Sequence, residues 1–146
     1  MNYELFMGEA LEEAKLALAS GERACAAVAV VDEAMVARAR DRVRELNDPT
    51  AHAVVMALRE AARKLGTVRL ADATIFATEE PCPMCVGALM ASDVEALVYA
   101  APNRQDGAAG TILQLADHAS LNRRLRIVSG IRRDEAEELL ASRVAN

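Results

Sequence analysis

Cys82 and Cys85 stand three residues apart in Pro81-Cys82-Pro83-Met84-Cys85, where a strand expected over 73–78 gives way to a helix expected over 83–92. Two soft ligands directed at one point suit a metal, although the same spacing also serves disulfide exchange. Upstream, Asp48-Pro49-Thr50-Ala51-His52-Ala53 opens another expected helix and puts His52 in its first turn. One imidazole and two thiolates that leave a fourth position to water make a catalytic zinc site, whereas a structural site closes with four protein ligands. Such a site activates water. Both thiols fall at or beside a helix N-terminus, where the macrodipole and free N–H groups favour the thiolate that binds metal.

On Asp48 to His52, Glu80 to Cys85 and Gly107-Ala108-Ala109-Gly110, the chain resembles the zinc-dependent cytidine deaminase superfamily, most closely its tRNA adenosine deaminases and bacterial guanine or nucleoside deaminases. The similarity runs from about Glu4 to Glu138. It implies a three-layer α/β/α deaminase-like fold with a central mixed five-stranded sheet. It also implies Zn2+ on His52, Cys82 and Cys85, hydrolytic removal of an exocyclic amino group, and a homodimer. The family's general acid and base is a glutamate two residues after the histidine. Val54 occupies that position here, and an isopropyl group neither gives nor takes a proton.

Further site residues follow from the same resemblance. Asp41 stands where the tRNA-deaminase branch has an asparagine that holds the base; an amide donates and accepts, an ionised carboxylate only accepts. Ala26 replaces a glycine of the pocket-lining strand, Asn103 an aspartate, and Pro81 precedes the first cysteine; with Asp41 these are the expected substrate-binding residues. Glu80 matches a structural carboxylate of the family. Glu79 stands where relatives usually have a small or apolar residue, so Glu79 and Asp41 are the two candidates to replace the missing proton carrier.

Three functions follow for test. The first is a deaminase of a small nucleobase or nucleoside, impaired at Val54; tRNA is the less favoured substrate, because the net charge is −5 and no aromatic residues are interleaved with the arginines to stack bases. The second is a pseudo-deaminase that serves as a binding or partner subunit. The third is a zinc-stabilised or redox C-x-x-C protein without a base pocket. Arg38, Arg40, Arg42 and Arg44 form one arginine cluster and Arg123, Arg124, Arg126, Arg132 and Arg133 another, both expected as solvated faces.

The 146 residues fit one domain with one core. No apolar run is long enough to span a bilayer, and the acidic start lacks a signal peptide's positive end, so the cytoplasm is the expected compartment. Cys25, inside an apolar run, is expected as a buried small hydrophobe.

The elements that must position these residues follow from periodicity. Met7, Ala10, Leu11, Ala14 and Leu18 recur at helical spacing over 3–20. A hairpin is expected from 24–31 and 35–40 across Asp32-Glu33-Ala34. A helix over 51–64, capped by Thr50 or Asp48, carries His52 and ends at Gly66. Further strands are expected over 94–101 and 124–129, a helical turn over 112–117, His118 in a loop, and a terminal helix over 133–144 with Ala136, Leu139 and Leu140 inward. Strands alternating with helices give a layered α/β domain.

Overall fold

The structure is a computed structural model that describes residues 1–142. Among these, β1 (Ala26–Val31), β2 (Ala34–Arg40), β3 (Thr74–Glu79), β4 (Ala96–Ala101) and β5 (Arg126–Ser129) form one sheet in the order β2-β1-β3-β4-β5. β1 pairs antiparallel with β2 and β3, while β3, β4 and β5 run parallel. The sheet is therefore mixed, as expected.

Alternation along the strands builds two cores. Ala27, Ala29, Ile75, Ala77 and Leu97 face helices α3 (Ala53–Leu65) and α4 (Pro83–Ala91), whereas Val28, Val30, Phe76 and Val98 face α1 (Tyr3–Ala19) and α5 (Arg133–Ala141). Successive side chains point to opposite faces, so strands covered on both sides read as the continuous apolar runs seen in the sequence. Three layers result. The small side chains of β1 let α3 and α1 close on the sheet, and the carboxyl end of β3 delivers Glu79 and the cysteine turn to the mouth between layers.

The hairpin turns on two residues, Asp32 (φ 51°) and Glu33 (φ 64°), both left-handed. β1 starts at Ala26, two residues later than expected, because Cys25 turns back to bond its N–H to the Arg23 carbonyl at 2.7 Å. A short helix α2 (Val43–Leu46) forms between β2 and α3, its first N–H groups satisfied by buried Glu22, which accepts from Arg44 N at 3.0 Å and Glu45 N at 2.8 Å. The segment 112–117 forms no helical turn; the chain there folds back through an Ala109–Gln114 bridge. α5 is helical to Ala141, and residues 143–144 of the expected terminal helix lie outside the described residues.

Candidate active site

The site begins with the way α3 starts. α3 begins at Ala53, two residues after the expected start, and His52 occupies its N-cap position with extended backbone (φ −73°, ψ 148°) and no capping bond from its own side chain. An N-cap side chain normally accepts an N–H of the first turn. Here Asp41, at the end of β2, does this from outside: its Oδ1 accepts the Ala53 N–H at 2.7 Å. The imidazole is thereby free to turn towards the cysteines. Thr50 and Asp48, the expected caps, instead bond each other, Thr50 N and Oγ1 donating to Asp48 Oδ1 at 2.9 and 2.8 Å. Cys82 is the N-cap of α4 with Pro83 next, where the missing N–H costs nothing.

His52 Nδ1 lies 3.6 Å from Cys82 Sγ and 3.5 Å from Cys85 Sγ, and the three ligand atoms fall within 4.8 Å of one another. Zinc bonds of about 2.0–2.1 Å to nitrogen and 2.3 Å to sulfur, opened to the tetrahedral angle, put N and S about 3.6 Å apart. The donor set and its spacing fit the ion. A bond from the Cys85 thiol, with backbone and His52 contributions, pulls Cys82 down to about 5, while that same bond and burial push Cys85 up. The pair thus holds one proton between two sulfurs, which metal binding releases.

Around these ligands lies a cavity of about 70 Å3 lined also by Ala26, Asp41, Val54, Glu79, Pro81 and Asn103. Every expected site residue is therefore brought to one place, and their states differ. Val54, 5% exposed, presents its isopropyl group to the cavity wall. Asp41, 6% exposed, is pushed up to about 6 by burial, against the pull of the Ala53 N–H and His52. Its Oδ2 makes no hydrogen bond among the described residues. Ala26 is pinned through its N–H to Thr78 Oγ1 at 3.0 Å, and the Pro81 carbonyl accepts Ala108 N–H at 2.9 Å.

Glu79 is held rather than free. Arg23 reaches its Oε1 at 3.0 Å and Oε2 at 3.2 Å, and the Cys25 thiol donates to Oε1 at 3.5 Å. Burial raises its pKa and Arg23 opposes the rise. Cys25 is buried and free of disulfide, as expected, but it also lines the cavity, and burial keeps it a thiol. Asn103 spends its side chain on its own loop, with Nδ2 donating to Asp106 Oδ1 at 2.6 Å and Oδ1 accepting the Gln105 and Asp106 N–H groups at 3.1 and 3.2 Å.

Glu80, 1% exposed, is the tie that shapes the cavity floor. It accepts the N–H groups of Asn103, Ala109 and Thr111 at 3.1, 3.0 and 3.1 Å and the Thr111 hydroxyl besides. Gly107 is needed for that approach, since a Cβ there would stand 2.6 Å from Glu80 Cδ and 2.5 Å from the Asn103 carbonyl. Arg23 and Asp106 also line the cavity and carried no signal in the sequence, because each acts through a partner distant along the chain or inside a loop.

The family model for MafB19-like deaminases matches residues 1–136. The chain belongs to that family. This MafB19-like deaminase is 38% identical over 139 residues to the tRNA-specific adenosine deaminase of Bacillus subtilis, a match covering 95% of the chain and 86% of the relative. The Aquifex aeolicus tRNA-specific adenosine deaminase is 36% identical over 126 residues, covering 86% and 83%. A structure solved in work on A-to-I editing by tRNA:A34 deaminases superposes with a TM-score of 0.90 at 35% identity, over 93% of this chain and 99% of the other. Guanine deaminase from Nitrosomonas europaea gives 0.77 at 30%, over 94% and 82%. His52, Cys82 and Cys85 make the zinc site of a deaminase, on the α/β deaminase fold. Among the described residues no helix is long and apolar enough to cross a membrane.

Proposed function

We propose that this MafB19-like deaminase binds an aminated purine presented by RNA, in the manner of the tRNA adenosine deaminases it resembles, and turns it over slowly. The RNA substrate replaces the small nucleobase favoured from the acidic charge balance and the lack of stacking aromatics, because the tRNA-deaminase similarities cover nearly the whole chain at both sequence and structure. One observation carries the slow turnover: Val54 lines the ligand cavity where a proton carrier is needed, while Glu79 and Glu80 are each held by other partners.

Zinc, when bound by His52, Cys82 and Cys85, supplies Lewis-acid activation of water. The chain's own contribution is positional. Asp41 fixes the start of α3 and so the His52 ring; Glu80 fixes the loop that closes the cavity; Ala26, Pro81 and Val54 give apolar walls that exclude solvent from a bound base. No residue among these walls moves the two further protons that hydrolytic deamination requires, one to the ring nitrogen and one to the departing ammonia.

Asp41 supports a second function, an active deaminase with a substitute proton carrier. Its Oδ2 is uncommitted, it lines the cavity, and its pKa of about 6 lies near the working range of a general base. The test is ammonia release from zinc-loaded protein with an adenine-containing stem-loop RNA and with a panel of free aminopurines. Binding of the RNA with turnover at least about 100-fold below what a general acid–base catalyst brings supports the main proposal. Rapid release from a free base, with none from RNA, defeats it. The homodimer implied by the resemblance belongs to the same proposal, and light scattering that finds a monomer at working concentration removes it.

A further inference from the structure

Outside the cavity, a concentration of arginines lies between the edge strand β2 and helix α3. A groove of about 480 Å3 there is lined by Arg38, Arg40, Arg42, Arg59 and Arg63, with only Glu13 and Glu60 as acids. Three of these five guanidinium groups have acid partners, Arg38 with Glu9 at 3.1 Å and with Glu13, Arg40 with Glu13, and Arg42 with Glu45, which leaves Arg59 and Arg63 as the positive charge in excess on a chain whose net charge is −5. The expected cluster of four arginines does not survive as such: Arg44 lines a different surface, and α3 contributes two arginines that no sequence run announced.

The acids present are already committed. Glu13, 6% exposed, sits 3.1 Å from Arg38 Nε and 2.6 Å from an Arg40 terminal nitrogen, and Glu60 pairs with Lys64 at 2.9 Å. Arg59 and Arg63 have no acid within 4 Å among the described residues. Two buried side-chain nitrogens are left without a hydrogen bond, Arg38 Nε, which is near Glu13 but off the bonding line, and Arg40 Nε. Both belong to this groove. Buried N–H groups without acceptors are uncommon, because each forfeits the solvation it had in water.

Position gives the groove a direction. Arg40 and Arg42 flank Asp41 in the chain, and Asp41 lines the ligand cavity. Arg59 and Arg63 lie seven and eleven residues beyond His52 on the same helix, about 10 and 16 Å further along its axis, and four residues apart on one face. The basic track therefore starts beside the cavity and leads away from it.

We propose that this groove holds the phosphate backbone of the RNA whose base enters the cavity, an inference that rests on the RNA reading above. Guanidinium forks match phosphate oxygens and grip the backbone without reading bases. The groove's lining holds no aromatic side chain, so it offers phosphate contacts and no base-stacking platform.

The test uses zinc-loaded protein and the double variant Arg59→Gln, Arg63→Gln, at exposed helical positions where glutamine keeps helix propensity. Fluorescence anisotropy with an adenine-containing stem-loop RNA is followed across salt, beside an unstructured uridine oligomer and a polyglutamate peptide. The double variant should bind the stem-loop about tenfold more weakly at low salt, with a log–log salt slope shallower by about 1.5 to 2. Zinc content and binding of a free aminopurine should not change. Stem-loop binding with an unaltered slope in the variant overturns the groove while leaving the RNA substrate standing. Absence of stem-loop binding by the wild type overturns both. Binding of polyglutamate in preference to either RNA assigns the face to an acidic protein and overturns the proposal. A variant that changes from dimer to monomer with its RNA slope intact makes the face a contact between copies, and overturns it equally.

Discussion

Asp41 Oδ1 accepts the backbone N–H of Ala53 at 2.7 Å, so one buried carboxylate at the end of an edge strand fixes the start of the helix that carries both His52 and Val54. Its proton is therefore linked to folding. Burial lifts the group from 3.8 to about 6. A folded-state value above the unfolded one means the folded chain holds this proton more tightly. The stabilisation is full below about pH 4 and lost as pH rises through about 6. In metal-free protein, stability relative to Asp41→Asn should fall by up to about 3 kcal/mol between pH 4 and 7. Urea denaturation of the two proteins at several pH values measures it; parallel curves would refute the linkage.

Gly107→Ala should be more damaging than most surface changes. The new methyl would meet the Asn103 carbonyl at 2.5 Å and Glu80 Cδ at 2.6 Å, both held by hydrogen bonds of the same loop. Overpacking of this kind costs about 1–3 kcal/mol. For a chain of this size that is a fall in Tm of several degrees, roughly 2–4 °C per kcal/mol. An unchanged Tm would show that the loop gives way freely.

Much of this was legible in the sequence for one reason: periodicity and ligand spacing are local. The near-continuous apolar runs of β1 and β3, the helical spacing of α1 and the C-x-x-C turn each report on their own segment. What escaped depends on partners far apart. Arg23 meets Glu79 across 56 positions, and Cys25 meets it across 54, so neither the commitment of Glu79 nor the second role of Cys25 could be read from neighbours. The caps of α3 were misplaced for the same reason. Thr50 and Asp48 have the right chemistry and position, but Asp41, twelve residues away from Ala53, wins the contact.

Removal of the metal provides a separate check. Protein purified without chelator should contain close to one zinc per chain, and His52→Ala should lose it. Because binding free energy adds to folding free energy, chelation should lower the unfolding temperature. Metal-free protein with an unchanged Tm would contradict a bound ion on these three ligands.

Glu79→Gln should have little effect on turnover. Both carboxylate oxygens are engaged by Arg23, and the pair is partly exposed on the arginine side, so stability should change by about 1 kcal/mol or less. Loss of activity by roughly 100-fold, the scale of a removed general acid or base, would show instead that Glu79 carries protons.

The most direct measurement of the central claim is the turnover of Val54→Glu beside wild type and Asp41→Asn, on RNA and on the best free purine, with zinc content matched. Val54 lines the cavity beside His52, Cys82 and Cys85, and the proposal rests on its standing where the proton carrier is needed. The variant should release ammonia about 100 to 10,000 times faster than the wild type, the factor a general acid and base contributes. A wild type that is already fast, is silenced by Asp41→Asn, and gains nothing from Val54→Glu would contradict the account.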